Sequence, residues 1–185
     1  YSIPAEKLQV LDLGSGTGKH ALYFAERGAT VTGMEMAPTA LAIARAQAEI
    51  KKLPVQFLER DIGTPYPFEK NSFDVILDIL ASNSLSQHAH RIYLQETARV
   101  LKPGGWFMMK ILCKDGDRNA QKLLVAHPGK EKDTYVIPEL GLTERIFSRH
   151  DFEETYGAHF LIRMLQKTSS YTLFHNRRYK RNFWV

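Results

Sequence analysis

DLGSGTG, residues Asp12 to Gly18, is the stretch of the chain that decides its fold. It follows the apolar run Leu8–Leu13, which is typical of a buried parallel strand, and it precedes residues 19–27, where apolar side chains recur at helical spacing. Glycine lets the backbone take conformations that other residues avoid, and it leaves no side chain between the main chain and a ligand. The stretch therefore predicts a strand, a ligand-binding turn and a helix in succession.

The alternation of strand and helix continues along the chain. Short apolar runs predict four further strands, at residues 30–34, 55–59, 73–77 and 106–112. Helical composition or spacing is found at residues 38–52, 88–101 and 148–156. Additional strand candidates near the end are residues 160–165, 171–174 and 181–185. This order predicts a doubly wound α/β fold, with a mostly parallel sheet of about seven strands and helices on both faces.

Length and composition limit the class of protein. The 185 residues, of which 44% are apolar, can bury one core but not comfortably two, so we expect a single domain over residues 1–185. The sequence contains no apolar run of the roughly 18 residues that a membrane span needs, and no signal peptide is recognisable. The single cysteine, Cys113, excludes an internal disulfide, and we expect it to be a small buried residue. These features predict a cytoplasmic protein.

Two carboxylates follow later strands of the predicted sheet. Glu35 ends the second strand, where a carboxylate can accept hydrogen bonds from both hydroxyls of a ribose. Asp61 follows the third strand, where it can accept a hydrogen bond from the exocyclic amine of adenine. In the dinucleotide-binding pattern G-x-G-x-x-G the third glycine stands one place later than Gly18, at a position that Lys19 occupies here. This spacing therefore argues against a nicotinamide-dependent dehydrogenase, which we rank third among the possible functions.

In this order and spacing, the residues resemble the class I S-adenosylmethionine-dependent methyltransferase family. The resemblance extends to Phe73–Ile76 and to Ala98–Gly105, and it spans Leu8 to about Leu112. It implies a Rossmann-like methyltransferase fold and S-adenosyl-L-methionine as the cofactor. By the same resemblance, the glycines approach the methionine part and the ribose, Met36 packs on adenine, and Asp12 holds the loop or the amino group. The expected cofactor-binding residues are Asp12, Gly14, Ser15, Gly16, Gly18, Glu35, Met36, Asp61, Ile62 and Asp78.

Residues 114–146 interrupt the alternation of strand and helix. The segment is polar, lacks a clean period and is long for a plain connection, so we expect it to be an inserted cover over the active site. The family builds its variable acceptor pocket in such covers. The resemblance thus gives four candidates for recognising the acceptor, which are Tyr135, Glu139, Glu144 and Arg145.

The catalytic residues are less well defined by the sequence. A sulfonium methyl group is already activated, so alignment of the acceptor and exclusion of water are the main requirements, and a base is optional. The candidates for a base are Asp78, His88 and Tyr135, of which Asp78 is the best placed. His88 and His90 do not share a helix face, and no cysteine or carboxylate cluster accompanies them, so we predict no metal.

Several functions remain to be compared. We expect methyl transfer to a small molecule, with an RNA methyltransferase as the main rival. That rival is favoured by the net charge of +5 and by residues 175–181, which mix cations and aromatics, although an exposed hairpin turn explains them more simply. A non-catalytic cofactor-binding module is the alternative from another class. Family members usually have helices before the first strand, and these often cap the acceptor site. We expect either that such helices were trimmed from this sequence or that the insertion at residues 114–146, or a partner, closes the acceptor pocket.

Overall fold

The computed structural model describes residues 8–174 and 177–185 of the chain, so His175 and Asn176 of the predicted basic turn lie outside the described residues. The elements alternate as expected over the first half of the chain. In order they are β1 (Gln9–Leu13), α1 (Lys19–Ala25), β2 (Thr30–Glu35), α2 (Pro38–Ile50), β3 (Val55–Glu59), β4 (Phe73–Ile79), a 3-10 turn (Ser82–Ser84), α3 (Gln87–Val100), β5 (Leu101–Leu112), α4 (Arg118–Ala126), β6 (Thr134–Ile137), β7 (Leu142–Arg145), α5 (Arg149–Gly157), β8 (Lys167–Phe174) and β9 (Arg177–Trp184).

Seven of the strands form one sheet, in the order β3-β2-β1-β4-β5-β9-β8. β1 runs parallel to both β2 and β4, and β2 runs parallel to β3. The last strand, β9, is antiparallel to its neighbours β5 and β8. The structure thus confirms the predicted α/β fold with a mostly parallel sheet of seven strands. Because parallel strands end at the same edge, this topology brings the residues that follow β1, β2 and β4 to one edge of the sheet.

Backbone contacts divide the described residues into two compact units. The first unit extends up to Ile79 and also includes Arg91–Met108, and the second comprises Leu80–His90 and the residues from Met109 onward. Helix α3 and strand β5 contribute to both units. The expectation of a single domain stays a prediction. No helix in the described part of the chain combines the length and the apolar character that crossing a membrane requires.

The core of the first unit forms where helices α1 and α2 present small apolar side chains. Leu41, Ala44 and Ala48 recur at helical spacing in α2 and are all buried. Pro38 stands in the first turn of this helix, where its missing N–H leaves no hydrogen bond unmade. The buried strand β1 explains the apolar run of the sequence, since Val10, Leu11 and Leu13 have no exposed surface. Such a rigid strand gives a fixed support to the loop that follows it.

The predicted cover at residues 114–146 contains more regular structure than the sequence suggested. It includes helix α4, whose cap Asp117 accepts a hydrogen bond from the N–H of Ala120, and the antiparallel hairpin of β6 and β7. The side chains of Ala120, Tyr135 and Ile146 are buried together with Leu112 and Phe183 in a core of the second unit. These elements are four to nine residues long, which is too short for a clear sequence period.

The strand predicted at residues 160–165 is wrong. Residues 161–166 have no regular structure, and Leu161 is 74% exposed. The strand begins at Lys167 instead, because its register with β9 starts where Lys167 lies opposite Trp184. An available neighbour, rather than apolar content alone, decides where a strand forms. By contrast, the predicted start of α5 is confirmed, since Ser148 accepts a hydrogen bond from the N–H of Asp151.

Candidate functional site

The loop between β1 and α1 contains three glycines, and the surroundings of Gly16 and Gly18 differ. Gly14, Gly16 and Gly18 all have positive φ, at 66°, 54° and 84°. A β-carbon on Gly18 would lie 3.0 Å from the β-carbon of Ala44, so this glycine is needed for packing. A β-carbon on Gly16 would meet nothing within 4 Å. The loop therefore packs tightly at its end and is open at its middle, where a ligand can approach the backbone.

Glu35, at the end of β2, connects this loop to the start of helix α2. Its Oε2 accepts a hydrogen bond from the N–H of Gly16 at 3.0 Å. Its Oε1 accepts hydrogen bonds from the N–H groups of Met36 and Ala37, at 2.9 and 2.8 Å. Ala37 is the N-cap of α2 and has no capping side chain, so the carboxylate also compensates the positive end of that helix. Glu35 thus fixes the loop before any ligand arrives.

Asp12, the last but one residue of β1, caps the helix that follows the loop. The N-cap position of α1 is Gly18, which has no side chain, and Oδ2 of Asp12 accepts a hydrogen bond from the N–H of Ala21 at 3.1 Å. Burial raises the pKa of Asp12 to about 7, and the negative charges of Asp78 and Glu35 add to this rise, while the bond from Ala21 opposes it. The folded chain therefore holds the proton of Asp12 more tightly than an exposed carboxyl group would.

This raised pKa makes the stability of the chain depend on pH. The folded state holds the proton of Asp12 more tightly than the unfolded state does, so the free energy of unfolding falls as the pH rises from about 4 through 7. An asparagine at this position would keep an oxygen for the N–H of Ala21 and would remove the buried charge. We expect Asp12→Asn to raise the melting temperature by roughly 2–4 °C at pH 8, an effect of about 1 kcal/mol, and to change little at pH 4. Thermal melts of both proteins across this range test the expectation, and a difference that is independent of pH contradicts it.

Asp78 lies beside Asp12 on the neighbouring strand. It has no exposed surface, and its position in β4 is in register with Leu13 of β1. The hydroxyl of Tyr93, a fully buried residue of α3, donates a hydrogen bond of 2.5 Å to Oδ2 of Asp78. The structure therefore brings Asp12, Glu35 and Asp78 together at the ends of three adjacent strands. Such a concentration of negative charge favours a ligand that carries positive groups.

The residues predicted to hold adenine lie in the same unit, after β2 and β3. Met36 is 66% exposed, and Ile62 is buried. Asp61 is exposed, and its Oδ1 accepts a hydrogen bond of 2.7 Å from the N–H of Gly63, which also makes it a turn residue. The side chain of Ser15 lies against Gly33, where an added β-carbon would be 2.8 Å from its Oγ, and the N–H of Ser15 donates a hydrogen bond of 2.9 Å to the carbonyl oxygen of Met34. The role of Ser15 in cofactor binding stays a prediction.

The other sequence candidates belong to the second unit. His88 is exposed near the start of α3. His90 is buried, with Nε2 3.1 Å from the hydroxyl of Tyr156, and burial together with the charge of Arg145 lowers its pKa to about 4. Cys113 is buried as predicted, and burial raises the pKa of its thiol to about 11. Across residues 8–174 and 177–185, no three His, Cys, Asp or Glu side chains are grouped as metal ligands would be. The absence of a metal stays a prediction.

Tyr135 is part of a buried polar network. Its hydroxyl donates a hydrogen bond of 2.5 Å to Glu144 and accepts one of 2.5 Å from Arg181. Arg181 also pairs with the buried carboxylate of Asp117. Burial raises the pKa of the Tyr135 hydroxyl, so the group stays protonated at neutral pH. Glu139, by contrast, is an exposed residue, and its role stays a prediction.

Tyr93 and Arg181 are the residues that sequence reasoning missed. Tyr93 lies at an apolar position of a helix, where a tyrosine is indistinguishable from an ordinary core residue. Arg181 stands in a basic run, a pattern that usually marks solvated charge. Their hydrogen-bond partners are 15 and 64 residues away along the chain, and the packing of helices and strands brings them together.

Known proteins share both the sequence pattern and the fold. A family model described as a methyltransferase domain matches residues 10–105. Over 99 residues the chain is 41% identical to a demethylmenaquinone methyltransferase of Thermus thermophilus, a match that covers 52% of this chain and 44% of that one. Over 136 residues it is 31% identical to a ubiquinone biosynthesis O-methyltransferase of Paracidovorax citrulli, covering 73% and 55% of the two chains. The chain thus spans about half the length of these relatives.

The fold agrees with a solved structure over nearly the whole chain. The crystal structure of an S-adenosylmethionine-dependent methyltransferase from Methanosarcina mazei superimposes with a TM-score of 0.79. The two sequences are 19% identical, and the match covers 97% of this chain and 91% of the other. At that identity the likeness establishes the fold, and it confirms the α/β architecture expected from the sequence.

Proposed function

Because the chain belongs to the class I S-adenosylmethionine-dependent methyltransferase family, whose domain model matches more than half of it, we propose that it transfers the methyl group of S-adenosyl-L-methionine to a small-molecule acceptor. One observation carries the proposal. Asp12, Glu35 and Asp78 meet at the strand ends, beside a glycine loop that is open at Gly16. This set of acidic groups matches the ammonium and sulfonium charges and the ribose hydroxyls of that cofactor.

The residues of the first unit fit the cofactor in chemistry. In our proposal, Asp12 pairs with its positive groups, and the backbone at Gly16 approaches its extended chain. When bound, the cofactor supplies a methyl group that its sulfonium has already activated. The chain then has to align an acceptor with that methyl group and to keep water away.

Glu35 is proposed to bind the ribose by exchanging a hydrogen-bond partner. A carboxylate has about four acceptor positions, and backbone N–H groups fill three of them here. Two hydroxyls need two positions, so one of them would take the place of the N–H of Gly16. The bonds to Met36 and Ala37 would remain and hold the carboxylate in place.

Asp78 is the best supported candidate for handling the proton of an acceptor. Its carboxylate is buried and is oriented by the hydroxyl of Tyr93. Tyr135 is a poor candidate for a base, because the raised pKa of its hydroxyl keeps that group protonated. Its hydroxyl also already donates a hydrogen bond to Glu144. We therefore assign Tyr135 to the support of the second unit and leave Asp78 as the residue to test.

Binding and transfer test the proposal in two steps. Isothermal titration calorimetry should show micromolar binding of S-adenosylmethionine and no comparable binding of NAD. Incubation with methyl-labelled cofactor and a panel of phenolic, amine and thiol acceptors, with RNA as a further arm, should then give a labelled small molecule. Binding of NAD alone contradicts the cofactor assignment. Labelled RNA alone would show that the main rival is right, and cofactor binding without any labelled product favours a non-catalytic module.

A further inference from the structure

The excess positive charge of the chain lies in the second unit. The described part of the first unit has ten Lys and Arg residues and ten Asp and Glu residues, whereas the second has 14 and nine. The hairpin of β8 and β9 contributes five of these cations and no carboxylate, and they are Lys167, Arg177, Arg178, Lys180 and Arg181. This hairpin is therefore the main source of the net charge of +5.

Three of the cations share one face of the hairpin with an exposed aromatic ring. Opposite residues of an antiparallel pair point to the same side, and Tyr171 lies opposite Lys180, as Ser169 lies opposite Asn182. Tyr171 is 62% exposed, and the guanidinium of Arg178 lies 4.8 Å from the centroid of its ring. We call this surface the basic face, and its exposed members are Lys167, Ser169, Tyr171, Arg178 and Lys180.

The charges of the basic face are available to a ligand. Among the described side chains, no carboxylate lies within ion-pair distance of Lys167, Arg178 or Lys180. Arg181 points to the opposite side of β9, where Asp117 and Glu144 neutralise it.

A groove continues the basic face beyond Lys180. It has a volume of about 360 Å³ and is lined by Gly116, Asp117, Arg118, Lys180 and Asn182. The carboxylate of Asp117 does not make the groove acidic, because it accepts hydrogen bonds from Arg181 and from the N–H groups of Ala120 and Asn182. Arg118 adds a fourth cation at the rim.

We propose that the basic face and this groove bind single-stranded nucleic acid. Tyr171 offers a flat surface on which a base can stack, and Lys167, Arg178 and Lys180 are placed around it to contact phosphates. The exposed ring of Tyr171 among three cations favours nucleic acid over an anionic membrane, because stacking of a base adds to the phosphate contacts. The inference is independent of methyl transfer, because it uses residues of the second unit alone.

Fluorescence anisotropy of a labelled single-stranded RNA of about 12 nucleotides tests the charges of the face. We expect the full chain to bind it at low salt, and we expect Arg178→Ala with Lys180→Ala to weaken binding at least tenfold. The plot of log affinity against log salt should become less steep by about 1.4, because each lost phosphate contact removes about 0.7 from the slope for single strands. The matched control is Lys70→Ala with Arg91→Ala, which removes one exposed lysine and one exposed arginine of the first unit. Equal losses in both double variants overturn the proposal.

Variants of Tyr171 test the stacking surface. Tyr171→Ala should weaken binding at least fivefold without changing the salt slope, and Tyr171→Phe should bind like the unaltered chain. Circular dichroism melts show whether each variant is folded. Failure of the unaltered chain to bind RNA at low salt overturns the proposal, and so does tight binding to phosphatidylserine vesicles in place of RNA.

Discussion

Glu35→Ala is expected to weaken binding of S-adenosylmethionine by about 10- to 100-fold. The change removes the acceptor of the ribose hydroxyls, and a hydrogen bond to a charged group contributes about 1.5–3 kcal/mol. It also releases the N–H of Gly16 and leaves the start of α2 without its carboxylate. Both effects act in the same direction, because the loop that approaches the cofactor loses its support.

The matched control for Glu35 is Glu49→Ala, which removes a carboxylate from the exposed side of α2. Calorimetry should give the control protein the affinity of the unaltered chain. Thermal melts separate binding from folding, since a loss of affinity in a Glu35 variant that remains folded at the assay temperature reports on the site. Unchanged affinity in that variant would show that Glu35 serves the loop and the helix alone.

Gly18→Ala is expected to lower the free energy of unfolding by about 2–4 kcal/mol. Gly18 has a φ of 84°, a conformation that costs other residues about 1–2 kcal/mol. The new methyl group would also lie 3.0 Å from Ala44 and 3.1 Å from the ring of Phe57, and overpacking of a core costs about 1–3 kcal/mol. Urea unfolding followed by circular dichroism measures the loss.

Gly16→Ala gives the comparison that separates packing from binding. Gly16 also has a positive φ, but its new methyl group would meet nothing within 4 Å. We therefore expect a smaller loss of stability than in Gly18→Ala and a larger loss of cofactor affinity, because the methyl group occupies the open side of the loop. Equal effects of the two variants on stability would show that the loop is packed alike at both positions.

The sequence allowed the positions of Asp12, Glu35 and Asp78 to be predicted because each follows from its strand. Buried parallel strands leave apolar runs, and the residue that ends such a run must lie at the same sheet edge as its counterparts. The family resemblance, which rests on Asp12 to Gly18, Glu35 and Asp61, is confirmed by the match over residues 10–105. The assignment of Asp12, Glu35 and Asp78 to cofactor binding stays a prediction, although the structure places these three together.

The partners of these residues could not be predicted in the same way. Tyr93 reaches Asp78 from a helix, and Asp12 caps α1 across a loop, so both contacts depend on how the elements pack. The extra helix and hairpin in residues 114–146 are too short to leave a period in the sequence. The strand at residues 167–174 depends on its partner β9, and the apolar residues before it had suggested the wrong position.

The place of β8 at one end of the sheet order affects how molecules of this protein meet one another. An edge strand presents backbone groups that can pair with a strand of a second molecule, and this is a common beginning of aggregation. The cations of the β8–β9 hairpin oppose that approach, because two such edges repel each other. High salt screens this repulsion, so we expect it to favour self-association of the protein. The same high salt should weaken the binding of a polyanion such as RNA.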